Sequence, residues 1–217
     1  MVIIMEFLSK LGIEVKNKEL LMEALTHSSY ANEHENTTYY ERLEFLGDAV
    51  LQLASSDYFY KKFDLSEGEM SKVRASYVCE NALYEYSNAI GLTENIRVGN
   101  GTEKTPSIVA DCFESVLAVI YLDHGFSVAK KYALGIISQY VEKGVKFIND
   151  YKSYLQEMVQ PERTNIEYVV TNEEGPANDK TFTMDVLIDG IRYGTGVGKS
   201  KKQAEQNAAK DAIKKIA

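Results

Sequence analysis

The repeat of apolar residues changes once along the chain, near residue 150, and this change limits the possible folds more than any other feature. From about residue 3 to residue 147, apolar residues recur every three or four positions, which is the spacing of one helix face. Beyond that point they alternate in steps of two, as in half-buried strands. We therefore predict an all-α domain over residues 1–147 and a small α+β domain over residues 151–217.

The second predicted domain has the element order α-β-β-β-α. A short helix over 151–160 is stopped by Pro161, and strands are predicted over 165–171, 180–189 and 191–198. Asp189 and Gly190 indicate a hairpin turn between the last two strands. The second strand should place four apolar residues on one face, namely Phe182, Met184, Val186 and Ile188. Such a sheet would hide one face under both helices.

The final helix of this domain is predicted to open at Ser200. Gln203 follows three residues later, which is the spacing of a capping box. The apolar face of the helix should consist of Ala204, Ala208, Ile213 and Ile216.

Composition excludes several classes of protein. No uncharged apolar stretch approaches the roughly 18 residues of a transmembrane helix. The start of the chain has neither the basic segment nor the cleavage site of a signal peptide. Cys79 and Cys112 lie far apart without Cys-x-x-Cys spacing, which favours reduced thiols over a disulfide or a zinc site. We expect a cytoplasmic protein without membrane contact.

The net charge of −8 is unevenly distributed. Residues 1–150 carry 14 Lys and Arg against 22 Asp and Glu, whereas residues 151–217 carry 10 of each kind. Six lysines cluster between 199 and 215, with only Glu205 and Asp211 among them. Because local patches decide whether a polyanion can dock, the basic end of the chain is compatible with nucleic acid.

An acidic constellation distinguishes the first domain. Glu41, Glu44 and Asp48 stand at i, i+3 and i+7, so they share one helix face. Asp111 and Glu114 repeat the i, i+3 spacing inside the most apolar helix of the chain, predicted over 107–123. A solvated face would explain the first three residues but not the last two, because a buried carboxylate needs a partner.

A divalent cation shared by the two helices would supply that partner. No Lys, Arg or His lies between residues 107 and 121 to compensate Asp111 and Glu114. Carboxylate ligands without His or Cys select hard ions such as Mg²⁺, with Mn²⁺ as a substitute. Such ions commonly act on phosphate esters.

Four segments resemble the motifs of the ribonuclease III family. ERLEFLGDAVL at 41–51 is similar to the family signature, and IVADCFESVLAVIYLD at 108–123 is similar to its second motif. ALTHSS at 24–29 and SEGEMSKVRASYV at 66–78 also match in the expected order, and residues 150–217 resemble the double-stranded-RNA-binding domain of bacterial members. The resemblance implies hydrolysis of duplex RNA to 5′-phosphate and 3′-hydroxyl ends with short 3′ overhangs, and a role in rRNA and mRNA maturation.

The resemblance also implies roles for individual residues of the first domain. Glu44, Asp48, Asp111 and Glu114 would form the main metal site, and Glu41 and Glu67 would support a second ion or the RNA near it. Two catalytic domains pair in this family, which implies a homodimer in which Phe45 packs into the partner. Phe45 could equally belong to the core of its own domain.

In the second domain, contacts to duplex RNA are expected from six residues. A protein reads duplex RNA by its shape, through 2′-hydroxyls in the minor groove and through phosphates. Lys201 and Lys202 lie in the first turn of the last helix, where free N–H groups already favour phosphate, although a solvated face is the alternative. The resemblance assigns minor-groove contacts to Gln156, Glu157, Gln160 and Asn178, the last in place of the histidine usual in the family.

Some residues and segments leave more than one interpretation open. His27 is either a hydrogen-bonded structural histidine, which we favour, or a catalytic base. Lys72 and Arg74 could approach phosphates or simply lie on an exposed helix face. The segment 98–107 is shorter than is usual in the family and lacks its Gly-Gly and Arg residues, and Ala118 and Val119 replace smaller residues.

Two alternative functions follow from these observations. One is a non-cleaving RNA-binding regulator of the same fold, and the other is a metal-dependent hydrolase of small phosphate esters. The first would be favoured by the loss of an acidic ligand, and none is lost. The trailing α-β-β-β-α domain argues against the second.

Overall fold

The computed structural model describes residues 6, 8–9, 12–148, 150–162, 164–176 and 178–216. The chain forms two compact units, Met1–Phe147 and Ile148–Ala217. The predicted helical region includes residues 3–5, 7, 10 and 11, which lie outside the described residues, as does residue 177 of the loop after the first strand. None of the described helices is long and apolar enough to cross a membrane.

The first unit is built from helices. In chain order they are α1 (Lys18–Ala24), α2 (Ser28–Glu33), α3 (Glu41–Lys62), α4 (Glu67–Tyr77), α5 (Glu80–Ala89), α6 (Pro106–His124) and α7 (Phe126–Glu142). A 3₁₀ turn at Thr93–Asn95 lies between α5 and α6. Within the described part of this unit, extended pairing is limited to one isolated parallel bridge between Thr26 and Arg97. The predicted all-helical first domain is confirmed.

Helix α6 lies at the centre of the first unit. The Thr105 side chain accepts a hydrogen bond from the N–H of Ile108, and Pro106 occupies the first turn, where its missing N–H costs no helical bond. Eleven residues of α6 are buried, and the helix packs against α1, α3, α5 and α7. Ala118 and Val119, which depart from the family pattern, are accommodated inside this core. The buried helix predicted over 107–123 is confirmed.

The second unit follows the predicted order α-β-β-β-α. It consists of α8 (Tyr151–Val159), a 3₁₀ turn at Gln160–Glu162, β1 (Ile166–Glu174), β2 (Thr181–Ile188), β3 (Ile191–Gly198) and α9 (Lys201–Ile216). The strands form an antiparallel sheet in the order β1-β2-β3. The first strand runs three residues further than predicted, because Asn172, Glu173 and Glu174 still pair with β2.

One face of the sheet packs on the helices. Met184, Val186 and Ile188 are buried as predicted, whereas Phe182 near the start of β2 is half-buried. The two helices are joined by Gln206 of α9, whose side-chain oxygen accepts from the N–H of Tyr151 at 2.8 Å. Hydrogen bonds from Gln206 and Ser153 lower the pKa of Asp150, at the start of α8, to about 2.

The start and the apolar face of α9 differ in detail from the prediction. The Ser200 hydroxyl accepts from the N–H of Gln203 at 3.2 Å, as expected for a capping box. The Gln203 side chain, however, accepts from the N–H of Lys199 at 2.8 Å, one residue before the predicted donor. Ile216 is 39% exposed, so its assignment to the apolar face was wrong.

The apolar face of α9 packs closely against β3. The buried residues that complete the face of α9 are Ala209 and Ala212. A Cβ atom added at Gly196 would lie 2.1 Å from the N atom of Ala208 and 2.3 Å from the carbonyl oxygen of Ala204. Only glycine on the strand and small residues on the helix allow this approach.

Candidate functional site

The acidic residues of the first unit lie on two helices that pack against each other. Helix α3 begins at Glu41 and carries Glu44 in its first turn and Asp48 one turn later, and α6 carries Asp111 and Glu114. Glu41 and Asp48 are exposed, whereas Glu44, Asp111 and Glu114 are partly buried. From the predicted face of α3, Glu44 and Asp48 lie near Glu114 of α6.

Gly47 allows the two helices to come this close. A Cβ atom at this position would lie 1.8 Å from the carbonyl oxygen of Glu114 and 2.4 Å from its carbonyl carbon. Both atoms belong to the backbone of α6, so a side-chain rotation could not relieve the clash. Gly47 therefore places Glu44 and Asp48 beside Glu114.

Burial and mutual repulsion both disfavour ionisation of these carboxylates. Burial, together with the charges of Asp48, Asp111 and Glu44, raises the pKa of Glu114 to about 8. Burial is also the largest cause that raises the pKa of Asp111, and it raises the pKa of Glu44, with Asp111, Glu41 and Asp48 adding to the shift. The shifts show that these groups interact electrostatically across the α3–α6 contact.

The donor set is suited to a divalent cation. The described residues provide no hydrogen-bond or ion-pair partner to the Glu44 or Glu114 carboxylate, and Asp48 accepts only from Gln52 of its own helix, at 3.2 Å. Within the described part of the chain, no three His, Cys, Asp or Glu side chains converge closely enough to hold an ion. Bringing negative charges together without a cation is unfavourable, so a hard cation would both neutralise and gather this cluster.

Tyr40 is a member of the site that the sequence interpretation missed. Its hydroxyl donates to Oδ2 of Asp111 at 3.1 Å, and its side chain is buried. Burial, with the nearby charge of Asp111, raises the pKa of the Tyr40 phenol far above its ordinary value. The signal that could have indicated this residue is its position directly before the acidic helix α3.

His27 serves as the cap of a short helix. Its Nδ1 accepts from the N–H of Ser29 at 3.2 Å at the start of α2, and its ring lies 5.8 Å from that of Tyr40. These contacts support the structural interpretation of His27.

The short segment at 98–107 is held against α2. The N–H of Gly99 donates to the Ser29 hydroxyl at 2.9 Å, and Asn100 donates through its backbone and its side chain to Glu33 at 2.8 and 2.9 Å. The segment that departs from the family pattern therefore has defined anchors beside the site.

Two other predicted residues, Glu67 and Phe45, are exposed. Glu67 is exposed at the start of α4, accepts from the Ser71 hydroxyl at 3.0 Å, and lines a pocket with six other residues: Ser56, Phe59, Tyr60, Met70, Ser71 and Arg74. Phe45 is 82% exposed, so its alternative assignment to the core of its own domain was wrong. Arg74 donates to the Ser56 hydroxyl at 2.8 Å, which holds it against α3, and Lys72 is exposed.

The residues predicted to contact RNA are all exposed on the second unit. Gln156 and Glu157 lie on α8, Gln160 follows at its end, and Asn178 lies in the loop between β1 and β2. Lys201 and Lys202 form the first turn of α9. The six are therefore distributed over one helix, one loop and one helix N-terminus, and solvent reaches all of them.

An ion pair connects the loop to the start of α9. Asp179 follows Asn178 directly, and its carboxylate pairs with Lys199 at 2.6 Å. Lys199 immediately precedes the turn that leads to Lys201 and Lys202. The loop and the basic helix end are thus close to each other, as contacts to a single duplex would require.

Comparison with known proteins agrees with both units. Residues 17–140 match the family model described as Ribonuclease-III-like, and residues 151–216 match that of the double-stranded RNA binding motif. The chain is 44% identical to Ribonuclease 3 of Listeria monocytogenes over 97% of this chain and 96% of that protein. It is 48% identical to Ribonuclease 3 of Clostridium acetobutylicum over 96% and 95%. The chain belongs to the ribonuclease III family.

Membership gives the two units their general roles. The helical unit is the nuclease domain of a ribonuclease III family endoribonuclease, and the α-β-β-β-α unit is its double-stranded-RNA-binding domain. A solved nuclease domain of ribonuclease III from Campylobacter jejuni is also similar, with a TM-score of 0.56 and 38% identity over 62% of this chain and 95% of that chain. That nuclease domain shows structural flexibility in a region involved in dimer formation.

Proposed function

We propose that this family member hydrolyses phosphodiester bonds of double-stranded RNA with Mg²⁺, for which Mn²⁺ can substitute. The products would be 5′-phosphate and 3′-hydroxyl ends with short 3′ overhangs. The observation that carries this proposal is Glu114, a partly buried carboxylate with a raised pKa and no cationic partner among the described residues. The unfavourable burial of such a carboxylate is expected at a functional site, where a bound ligand supplies the compensating positive charge.

The acidic residues would divide into two groups. Glu44, Asp48, Asp111 and Glu114 would hold the main ion between α3 and α6. When bound, Mg²⁺ would lower the pKa of an attacking water and stabilise the departing 3′ oxygen. The two carboxylates of α6 would hold the ion from a partly buried position with little water around it. The exposed Glu41 would lie beside the incoming RNA. A nucleophilic side chain is not required.

The second unit would hold the duplex by its shape. Gln156, Glu157, Gln160 and Asn178 would contact 2′-hydroxyls and base edges in the minor groove, and Lys201 and Lys202 would contact phosphates. Asn178 keeps the hydrogen-bonding capacity of the histidine that it replaces, since its amide both donates and accepts.

The enzyme is proposed to act as a homodimer through one face of α3. Phe45, Leu53 and Tyr60 leave 82%, 58% and 73% of their surface exposed on this helix, and a pocket lies at the Tyr60 end. In a twofold dimer the same surface meets itself, so a protruding residue at one end can enter a pocket at the other. Phe45 precedes the pocket residues Ser56 and Tyr60 by 11 and 15 positions, or roughly 16–23 Å along the helix.

The same arrangement would give Glu67 a role. Glu67 lines the pocket that we assign to Phe45 of the partner subunit. Since Phe45 lies directly after Glu44, Glu67 would then approach the acidic cluster of the partner and could support a second ion or the RNA there.

A single set of incubations tests the proposed activity. Long duplex RNA is incubated with the protein in Mg²⁺ or in chelator, and Glu114→Gln is treated in the same way. We expect cleavage only by the wild-type protein in Mg²⁺, and unchanged duplex binding by the variant. Binding without cleavage by the wild-type protein would indicate the non-cleaving regulator. Hydrolysis of small phosphate esters but not of RNA would indicate the metal-dependent hydrolase of small phosphate esters. Normal RNA cleavage by Glu114→Gln would refute the assigned site.

The cellular setting is part of the same proposal. Cys79 and Cys112 are free and buried, which agrees with a reducing cytoplasm. There the enzyme would mature ribosomal and messenger RNA precursors that fold into duplex segments.

A further inference from the structure

Tyr40 connects the two helices that carry the acidic cluster. Its backbone N–H donates to the carbonyl of Thr26 at 3.0 Å. Its carbonyl accepts from the N–H groups of Leu43 at 2.8 Å and Glu44 at 2.9 Å, which are the first bonds of α3. The backbone of Tyr40 is therefore fixed on both sides and is bonded directly to that of Glu44.

The side chain of Tyr40 is equally constrained. It is only 4% exposed and belongs to a small apolar cluster with Ile96, Ile108, Val109 and Cys112. Three of these neighbours lie on α6, on both sides of Asp111 in sequence. The hydroxyl that donates to Oδ2 of Asp111 at 3.1 Å is thus placed by packing and not by an exposed, mobile chain.

The chemical type of this donor suits a metal ligand. A lysine or arginine beside Asp111 would neutralise its charge and compete with a cation for it. The phenol is neutral and donates a single hydrogen bond to one oxygen of the Asp111 carboxylate. This bond restrains rotation of the carboxylate but leaves its negative charge available to a cation. Partners of this kind, which orient the residues that hold a metal, strongly influence metal affinity.

We propose that Tyr40 is a positioning residue whose hydroxyl holds Asp111 in place for a divalent cation and thereby sets the metal affinity of the enzyme. The inference rests on the metal-dependent function proposed above. It also assigns a reason for a tyrosine at the start of α3, because a tyrosine here is bonded to Glu44 through its backbone and to Asp111 through its side chain.

The test compares two substitutions that each remove one buried phenol hydroxyl. Tyr40→Phe removes the donor to Asp111, and Tyr86→Phe removes a hydroxyl that donates to the carbonyl of Tyr77 at 3.2 Å in the main core. Mn²⁺ alone is titrated into each full-length protein, without RNA, and free Mn²⁺ is followed by electron paramagnetic resonance. We expect Tyr40→Phe to bind Mn²⁺ about 10–100-fold more weakly than the wild-type protein, and Tyr86→Phe to bind it as the wild-type protein does.

Two further measurements separate positioning from general stability. In cleavage assays, Tyr40→Phe should need more metal but approach the wild-type kcat at saturating metal. In the Asp111→Asn background, adding Tyr40→Phe should cause no further loss of Mn²⁺ affinity, because the hydroxyl is proposed to act through Asp111.

Each outcome decides the matter. Unchanged Mn²⁺ affinity in Tyr40→Phe, or an equal loss in Tyr86→Phe, would overturn the inference. So would loss of folding in Tyr40→Phe alone by circular dichroism, since the hydroxyl would then serve stability. If the wild-type protein itself fails to bind Mn²⁺, the proposed metal-dependent function is wrong, and the result is distinguishable from failure of the Tyr40 inference alone.

Discussion

Replacing Glu114 by glutamine should stabilise the metal-free protein while removing its response to metal. Burial and the neighbouring carboxylates raise the pKa of Glu114 from 4.5 to about 8. Between these two values the folded state keeps a proton that the unfolded state has already lost. Stability therefore falls as the pH rises through this interval, and the contribution of Glu114 becomes constant above it.

The size of the effect follows from the linkage relation. One pH unit inside the interval costs about 1.4 kcal/mol, so the cost of Glu114 accumulates to roughly 3 kcal/mol between pH 4.5 and pH 7. This figure is an upper bound because the side chain keeps some contact with solvent. Glutamine has nearly the same size and does not titrate. For a unit of this size, the variant should melt up to roughly 6–12 °C higher than the wild-type protein at pH 7 in chelator.

Divalent metal should remove most of the stability difference between the two proteins. A ligand that binds only the folded state at about 100 times its dissociation constant stabilises it by about 2.7 kcal/mol. The wild-type protein should gain stability of this order in Mg²⁺, and Glu114→Gln should gain much less because a ligand charge is missing. The difference between the proteins should vanish near pH 4.5, where Glu114 is protonated in the folded state and half-protonated in the unfolded state.

The assay is thermal or guanidinium unfolding followed by circular dichroism, at several pH values from 4.5 to 8.5, in chelator and in Mg²⁺. Glu35→Gln, which changes an exposed loop residue, is the matched control and should behave as the wild-type protein. Differences between proteins isolate Glu114 from the other carboxyl groups. The reasoning would be refuted by a Glu114→Gln variant that is no more stable in chelator at pH 7, or that Mg²⁺ stabilises as much as the wild-type protein.

Three further predictions concern RNA binding, assembly and helix packing. Lys201→Ala combined with Lys202→Ala should weaken binding to all duplex RNAs alike. In a filter-binding titration, it should reduce the slope of log affinity against log salt by roughly two. An unchanged slope would mean that both lysines only face solvent. Phe45→Glu should shift the full-length protein from dimer to monomer in analytical sedimentation. The control Leu122→Glu, at an exposed apolar residue of α6, should remain a dimer. A Phe45→Glu variant that is still a dimer would contradict the assigned interface. Gly47→Ala should destabilise the protein by about 1–3 kcal/mol or more in guanidinium unfolding and reduce cleavage as well, and normal stability would show that α3 and α6 separate without cost.

Local spacing accounts for most of what the sequence could predict. The two-part architecture follows from the apolar period, which depends on residues within a turn or two of one another. The shared face of Glu41, Glu44 and Asp48 follows from helix geometry alone. The relation of this face to Asp111 and Glu114 was inferred from the unfavourable burial of the latter pair and from the resemblance to the family. In the structure, Glu44 and Asp48 lie near Glu114.

Features that depend on a neighbouring element were harder to predict. The side chain of Gln203 was expected to accept a hydrogen bond from the N–H of Ser200, the residue that caps α9. It accepts instead from the N–H of Lys199. Ile216 fits the apolar period of α9, yet it is exposed, and Ala209 and Ala212 complete the buried face instead. Phe45 was open to two interpretations, because a sequence pattern does not distinguish a residue of the core from one on an exposed apolar face.

Gly47 and Tyr40 show most directly which residues of the site a sequence pattern cannot identify. Gly47 and Gly68 both stand inside helices, but a Cβ at Gly68 would meet nothing within 4 Å, whereas one at Gly47 would meet the backbone of Glu114. Their different importance is decided by Glu114 of α6, which follows Gly47 by 67 positions. The same holds for Tyr40, whose hydroxyl reaches a carboxylate 71 positions later. Carboxylates can be inferred to need a partner because their charge must be compensated, but glycine and tyrosine carry no such requirement. The residues that gather the acidic cluster are therefore visible only once the helices have been packed together.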